Sequence, residues 1–380
     1  MKNDHLHDVA IIGGGLAGLS AAIRLRQQGH SVVLFEKETY PFHRVCGEYI
    51  SEESRGYLES LGLPLGEMNL PHIDTLRLTA PNGRVFEAGL PLGGFGISRH
   101  RLDALLAAEA RALGVDVREG TKVDDAIFEH DQFLLTIGRG APVRARACCA
   151  AWGKRSNLDI RWKRSFLQGV DPRLENYVGV KYHVRADWPA AVIGLHNFPN
   201  GYCGVSRIEN GIYCLCYLAE ARGLKERGGD LVRFEREVLS QNPHLERLFA
   251  GSTVLDGFPV TISQVSFRPK EQVENGILML GDAGGMIAPL CGNGMSIALH
   301  TGKMAAGALD EFLAGRINRK QMEEIYARTW RKEFAGRLRT GRLLQRFFGS
   351  PVLSNAFVGA FRLAPFLARP VIRMTHGRPF

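Results

Sequence analysis

The chain has 380 residues, 45% of them apolar and 23% charged, values close to globular averages that exclude a disordered, collagen-like or membrane class. That length exceeds the roughly 250 to 300 residues at which single cores stop growing and predicts two parts. Forty-eight Lys and Arg against 39 Asp and Glu give a net charge of +9, which suits an anionic cofactor, an acidic lipid surface or nucleic acid and leaves its position to decide.

The opening MKNDHLH is polar and runs straight into VAII, so no secretory signal is expected. No run of about 18 apolar residues predicts a spanning helix. Seven cysteines without a C-x-x-C pair argue against a disulfide framework and against a zinc site. A reducing, cytoplasmic compartment and no metal are the expectation.

HDVAIIGGGLAGLSAAIRLRQQGHSVVLFEK reads as strand, tight turn, helix and strand. Gly13, Gly15 and Gly18 form G-x-G-x-x-G at the first turn. The first allows the turn, the second lets backbone approach a pyrophosphate, and the third permits close helix packing. Leu16, Leu19, Ala22 and Leu25 recur at helical spacing. The second strand ends in Glu36, a carboxylate placed to accept the hydroxyls of an adenosine ribose.

RVCGEYIS follows, with Arg44 and Cys46 two positions apart. A free cysteine is most often a small buried filler, and the residues alone leave open whether Cys46 packs or faces a cofactor. Asn82-Gly83 and Asn210-Gly211 each separate two strand-like runs and predict hairpins. Together with VGVKYHVRA and AVIGLHNFP they predict a sheet over about 165–268. GISRHRLDALLAAEARALGVDV places Arg99 at a helix start. GILMLGD is a buried strand ending in Gly281 and Asp282, and the run from Gly294 is a helix with small residues along it. Beyond about Gly315 the chain turns helical, and from Arg331 to Phe380 ten basic residues face one acid, Glu333. That tail is expected to cap the substrate pocket, with contact to an anionic membrane as the alternative. No reading motif for nucleic acid is present.

The first and late glycine-rich elements together resemble the fold shared by para-hydroxybenzoate-hydroxylase-like flavin monooxygenases, geranylgeranyl reductases and flavin-dependent halogenases. The resemblance implies FAD, with Asp282 at the ribityl and pyrophosphate part and Arg99 reaching the cofactor. It points the helix end near Gly292 to Met295 at the flavin, where a positive helix terminus stabilises negative charge. Lys37, Arg44, Pro289, Asn293 and Gly294 complete the expected cofactor contacts. FHRVCGEYIS resembles the reductase-type segment that sets its cysteine over flavin and substrate, which makes Cys46 and Arg44 the candidate catalytic residues. Gly285 in GDAGG stands where hydroxylases carry histidine, and the tryptophan element of halogenases is missing; both favour the reductase branch. Trp152 stands where many hydroxylases have aspartate, so the electron donor, NAD(P)H or another, is left open. Tyr202 matches part of an aromatic substrate element, with Gly204 where tryptophan would be, and Cys291 is a further candidate beside the substrate.

The expected architecture is α/β (α+β overall). A discontinuous Rossmann-like FAD-binding domain takes 1–75, 97–160 and 270–310, an antiparallel-sheet substrate domain takes 76–96 and 161–269, and a basic helical cap takes 311–380. The expected activity is FAD-dependent reduction of a C=C bond in a hydrophobic, isoprenoid- or polyketide-like substrate. The alternatives are a monooxygenase acting on an aromatic or polyketide substrate and a non-catalytic prenyl- or lipid-binding module. The sequence leaves the oligomeric state open.

Overall fold

The computed structural model describes residues 6–168, 176–348, 350–375 and 377–380. Two sheets organise it. In the first, the strands Ile277–Met279, Val143–Ala150, Leu6–Ile12, Val32–Phe35 and Asp116–Arg118 lie parallel in that order. A hairpin, Asp125–Glu129 with Gln132–Thr136, extends the sheet antiparallel to Val143–Ala150. Strands buried on both faces need continuous apolar runs, and Val9 to Ile12 and Val32 to Phe35 supply them.

The helix Leu16–Gln27 packs between Arg99–Ala112 and Gly294–Leu313 on one face of that sheet. Close approach is set by Gly302, where an added Cβ would collide with the backbone of Ala17 and Ala21. The second sheet runs Thr253–Val254, Tyr177–Arg185, Tyr213–Glu220, Gly201–Arg207, Val192–Phe198, His72–Thr79, Val85–Gly96 and Tyr49–Ser51, with Val260–Val265 also on Tyr177–Arg185. All its pairs are antiparallel except Val192–Phe198 with His72–Thr79. Both expected hairpins form, with Gly83 at φ +80°, Asn210 at +59° and Gly211 at +71°.

The boundaries differ from the sequence expectation in two places. The strand Tyr49–Ser51, expected inside the first domain, hydrogen-bonds to Gly94–Gly96 of the second sheet. His72–Thr79 begins that sheet ahead of residue 76. The chain therefore passes from the first sheet to the second immediately after Cys46.

The last three helices are Arg319–Phe347, Pro351–Leu363 and Ala368–Thr375. The first is fixed by Asn318, whose side chain caps Gln321, and by Tyr326, whose hydroxyl donates to the Met279 carbonyl at 2.8 Å. Phe348 meets Tyr202, and Phe361 meets Phe86, at ring separations of 6.1 and 5.3 Å. The tail thus closes over the second sheet.

Candidate functional site

The glycine loop is held from two sides. Gly13, at φ +110°, abuts the Ala151 carbonyl, and a Cβ on Gly18 would fall on the Gly13 carbonyl. A Cβ on Gly15 would meet only an Arg99 nitrogen, at 3.6 Å, so the loop backbone is open on that side alone. Glu36 is buried and accepts the Gly14 N–H at 2.9 Å and the Glu38 N–H at 3.1 Å. The Tyr40 hydroxyl donates to the Gly14 carbonyl. Lys37 points outward and pairs with Glu38 at 3.6 Å.

Arg99 is the hub. It forms a bidentate pair with Asp103, both bonds 2.7 Å, the strong fork geometry of guanidinium and carboxylate. Its charge reaches Cys46 and Asp282 as well as the glycine loop, so these separate motifs converge on one guanidinium. Burial pushes the Asp282 carboxyl up, against the pull of Lys270, Arg99 and Lys154. Among the described residues no donor reaches that carboxylate. It is an acceptor set beside the glycine loop through Gly281, whose N–H bonds Thr301 at 2.9 Å. A diphosphate at the open loop and a polyol at Asp282 fit these donors and acceptors.

Arg44 is placed differently from the expectation. Expected near the flavin as a catalytic and cofactor-contacting residue, it binds Glu36 at 2.8 Å and Asp103 at 3.3 Å, so its charge is taken up by the carboxylate at the end of the second strand and by the Arg99 helix. Pro289, Leu290 and Cys291 form a short turn, Gly292 takes φ +68° beside the Tyr49 ring, and Asn293, Gly294 and Met295 open the late helix. Trp152 stands edge-on to Trp162 at 5.5 Å behind the loop.

Cys46 is half-buried, and burial, the largest effect, raises its thiol pKa above the usual range. Its carbonyl accepts from the Cys214 thiol at 3.2 Å. Two residues on, Glu48 is fully buried, with Lys181 at 2.7 Å, His183 at 2.6 Å and the Arg99 N–H at 2.8 Å. Sequence reading passed over this cluster. Its signal was available in VGVKYHVRA, where Lys181 and His183 fall two apart on one face of an apolar strand.

An apolar cavity of about 80 Å³ lies between the second sheet and the tail. Leu76, Leu195, Phe348, Phe361 and Ile372 line it together with Cys291 and Gly292. Burial lifts the Cys291 thiol to about 12. Tyr202 packs behind the cavity against Phe348 and does not line it.

A family model described as FAD binding domain matches residues 8–43, the loop and the Glu36 strand. Conditioned medium factor receptor 1 of Dictyostelium discoideum is 24% identical over 99% of this chain and 78% of its own. Digeranylgeranylglycerophospholipid reductase of Methanosarcina acetivorans is 26% identical over 86% and 81%. Menaquinone reductase of Mycobacterium tuberculosis is 27% identical over 86% and 82%. Among solved structures, flavin-dependent brominase Bmp2 matches with a TM-score of 0.79 at 21% identity, covering 98% of this chain and 93% of its own. A geranylgeranyl bacteriochlorophyll reductase-like protein of Thermoplasma acidophilum matches with a TM-score of 0.78 at 20% identity, covering 93% and 91%. The fold is that of FAD-dependent flavoproteins.

Proposed function

We propose that this chain, an FAD-dependent oxidoreductase, reduces a carbon–carbon double bond of a hydrophobic, isoprenoid- or polyketide-like substrate. The carrying observation is the lining of the apolar cavity: Cys291 and Gly292, the turn that opens the late helix of the cofactor domain, stand in it beside leucine, isoleucine and phenylalanine side chains of the second sheet and the tail, so an apolar segment of a substrate seated there meets that turn. Relatives named for the reduction of a geranylgeranyl lipid and of menaquinone support the substrate class.

FAD fits the glycine loop, Glu36, Arg99 and Asp282, and in its reduced form supplies a hydride. NAD(P)H or another reduced carrier provides the electrons. The Cys46 S–H donates its proton to the second alkene carbon. Burial raises its pKa, so it stays protonated at neutral pH, and its partial exposure lets water return the proton to the thiolate.

Anaerobic turnover of reduced protein with a polyprenylated quinone should give a product that stays heavier by two hydrogens after its head group is reoxidised from quinol to quinone; a product that returns to the starting mass would show reduction of the ring alone and sink the reading. A product formed only with oxygen and carrying ¹⁸O from ¹⁸O₂ would replace this reading with oxygen insertion.

The tail gives the second half of the proposal, a peripheral lipid contact. Among the described residues no single helix is long and apolar enough to cross a membrane. The bent pair Pro351–Leu363 and Pro365–Ile372 exposes Leu363 at 90% and Phe366 at 71%, flanked by exposed Arg362 and Arg369. Apolar tips between cations suit an anionic interface. All seven cysteines are free, which supports a reducing, cytoplasmic face. The double variant Leu363→Ser/Phe366→Ser should sediment severalfold less with phosphatidylglycerol-containing vesicles; equal sedimentation of both forms would remove the contact.

A further inference from the structure

The cluster around Glu48 has no part in the steps above, yet it sits two residues from the thiol that does. Glu48 takes φ +56°, a left-handed conformation that a non-glycine residue holds only when its surroundings over-determine it. Here they do. One carboxylate oxygen accepts Lys181 Nζ and the Arg99 N–H, and the other accepts His183 Nε2. The Glu48 carbonyl accepts the Ile97 N–H at 3.1 Å. Ser206 Oγ donates to the Gly47 carbonyl at 2.9 Å, and the Cys214 thiol donates to the Cys46 carbonyl. Residues 46 to 48 are therefore tied at every position to the second sheet or the Arg99 helix.

The charges are equally constrained. Glu48 and Lys181 are both wholly buried, and their pairing leaves no net charge between them. Arg99 is matched by Asp103. The groups that act on the thiol are Arg99, Glu48 and Lys181, with the Cys214 and Cys216 thiols beside them and His43 beside Lys181 and His183. His43 stacks on His100 at 4.5 Å, and burial holds its pKa down at about 4, so it adds no charge at neutral pH. Glu48, His183 and Cys214 stand close enough to share a metal ion, but the Lys181 ammonium already on Glu48 opposes a second cation there.

We propose that Glu48 and Lys181 are positioning residues for Cys46: the over-determined Glu48 turn fixes the thiol against the cofactor site, and the neutralised ion pair keeps it an acid. Without Glu48 the bare ammonium would favour the thiolate, and without Lys181 the bare carboxylate would disfavour it. The inference rests on Cys46 acting as the proton donor.

Its test reads the thiol itself. In the FAD-loaded protein and in the stripped protein, iodoacetamide labelling of Cys46 would be followed by peptide mass across pH for wild type, Glu48→Gln, Lys181→Met and the double variant. Labelling at fixed pH should be faster in Glu48→Gln and slower in Lys181→Met, each by about tenfold for one unit of pKa. The double variant should return towards wild type. Shifts in the same direction, no shift, or a Cys46 that stays unlabelled in every form would overturn the proposal. If Glu48→Gln does not fold, Lys181→Met and the double variant still read opposite predictions: slowing in one, recovery in the other. The measurement needs no substrate, so unchanged turnover in Cys46→Ala would remove the donor role while leaving opposed labelling shifts standing.

Discussion

Cys46→Ala is expected to keep FAD and to lose turnover by roughly 10²- to 10⁴-fold, the usual contribution of a positioned general acid. The proposed cofactor cradle uses other groups: the 13–18 loop, Glu36, Arg99 and Asp282. The thiol adds no bond to that cradle, and alanine leaves the Cys46 carbonyl available to Cys214. The flavin absorbance of the purified variant should therefore match wild type while product formation falls. Equal turnover would return Cys46 to the role of a packed side chain. Loss of both flavin and turnover would show that the segment, and not the thiol, is what the site requires.

Glu48→Gln is expected to lower the free energy of unfolding at pH 7 by about 3–5 kcal/mol, because removing one partner leaves the other buried and unpaired. The pH dependence separates charge from packing. His183 and Lys181 hold the Glu48 carboxyl, despite its burial, down at about 2, against 4.5 for an ordinary glutamate. A depressed carboxyl contributes stability that is complete above the unfolded value and is lost as pH falls through the folded one. The gap between wild type and Glu48→Gln should therefore narrow from pH 4.5 to pH 2, as the wild-type side chain gains a proton and comes to resemble glutamine. Urea unfolding across that range measures it. A gap that stays constant would assign the loss to packing.

What the sequence made legible was local. The glycine turn, the helix after it and Glu36 occupy one short span, and two of the motif's glycines answer a steric demand that the structure shows: the Ala151 carbonyl against Gly13 and the Gly13 carbonyl against Gly18. The two Asn-Gly hairpins were legible for the same reason. The Glu48 cluster was not, because its partners lie 133 and 135 residues away and nothing local distinguishes a buried lysine from a solvated one. Arg44 shows the complementary limit. Its proximity to Cys46 along the chain suggested a shared role, yet the carboxylates of Glu36 and Asp103 decide where the guanidinium settles. The tail was legible as helix, whereas its seat on the second sheet depends on ring contacts such as Phe361 with Phe86.

The crossing at Tyr49–Ser51 has a consequence for how such a protein diversifies. Because that strand is stitched to Gly94–Gly96, Cys46 is mechanically a passenger of the sheet that walls the cavity, although its sequence neighbours upstream belong to the other half. Substitutions that tilt or widen that wall for a new ligand carry the thiol along with it. On the proposed role, the shape of the wall and the position of the thiol are therefore coupled and not set independently.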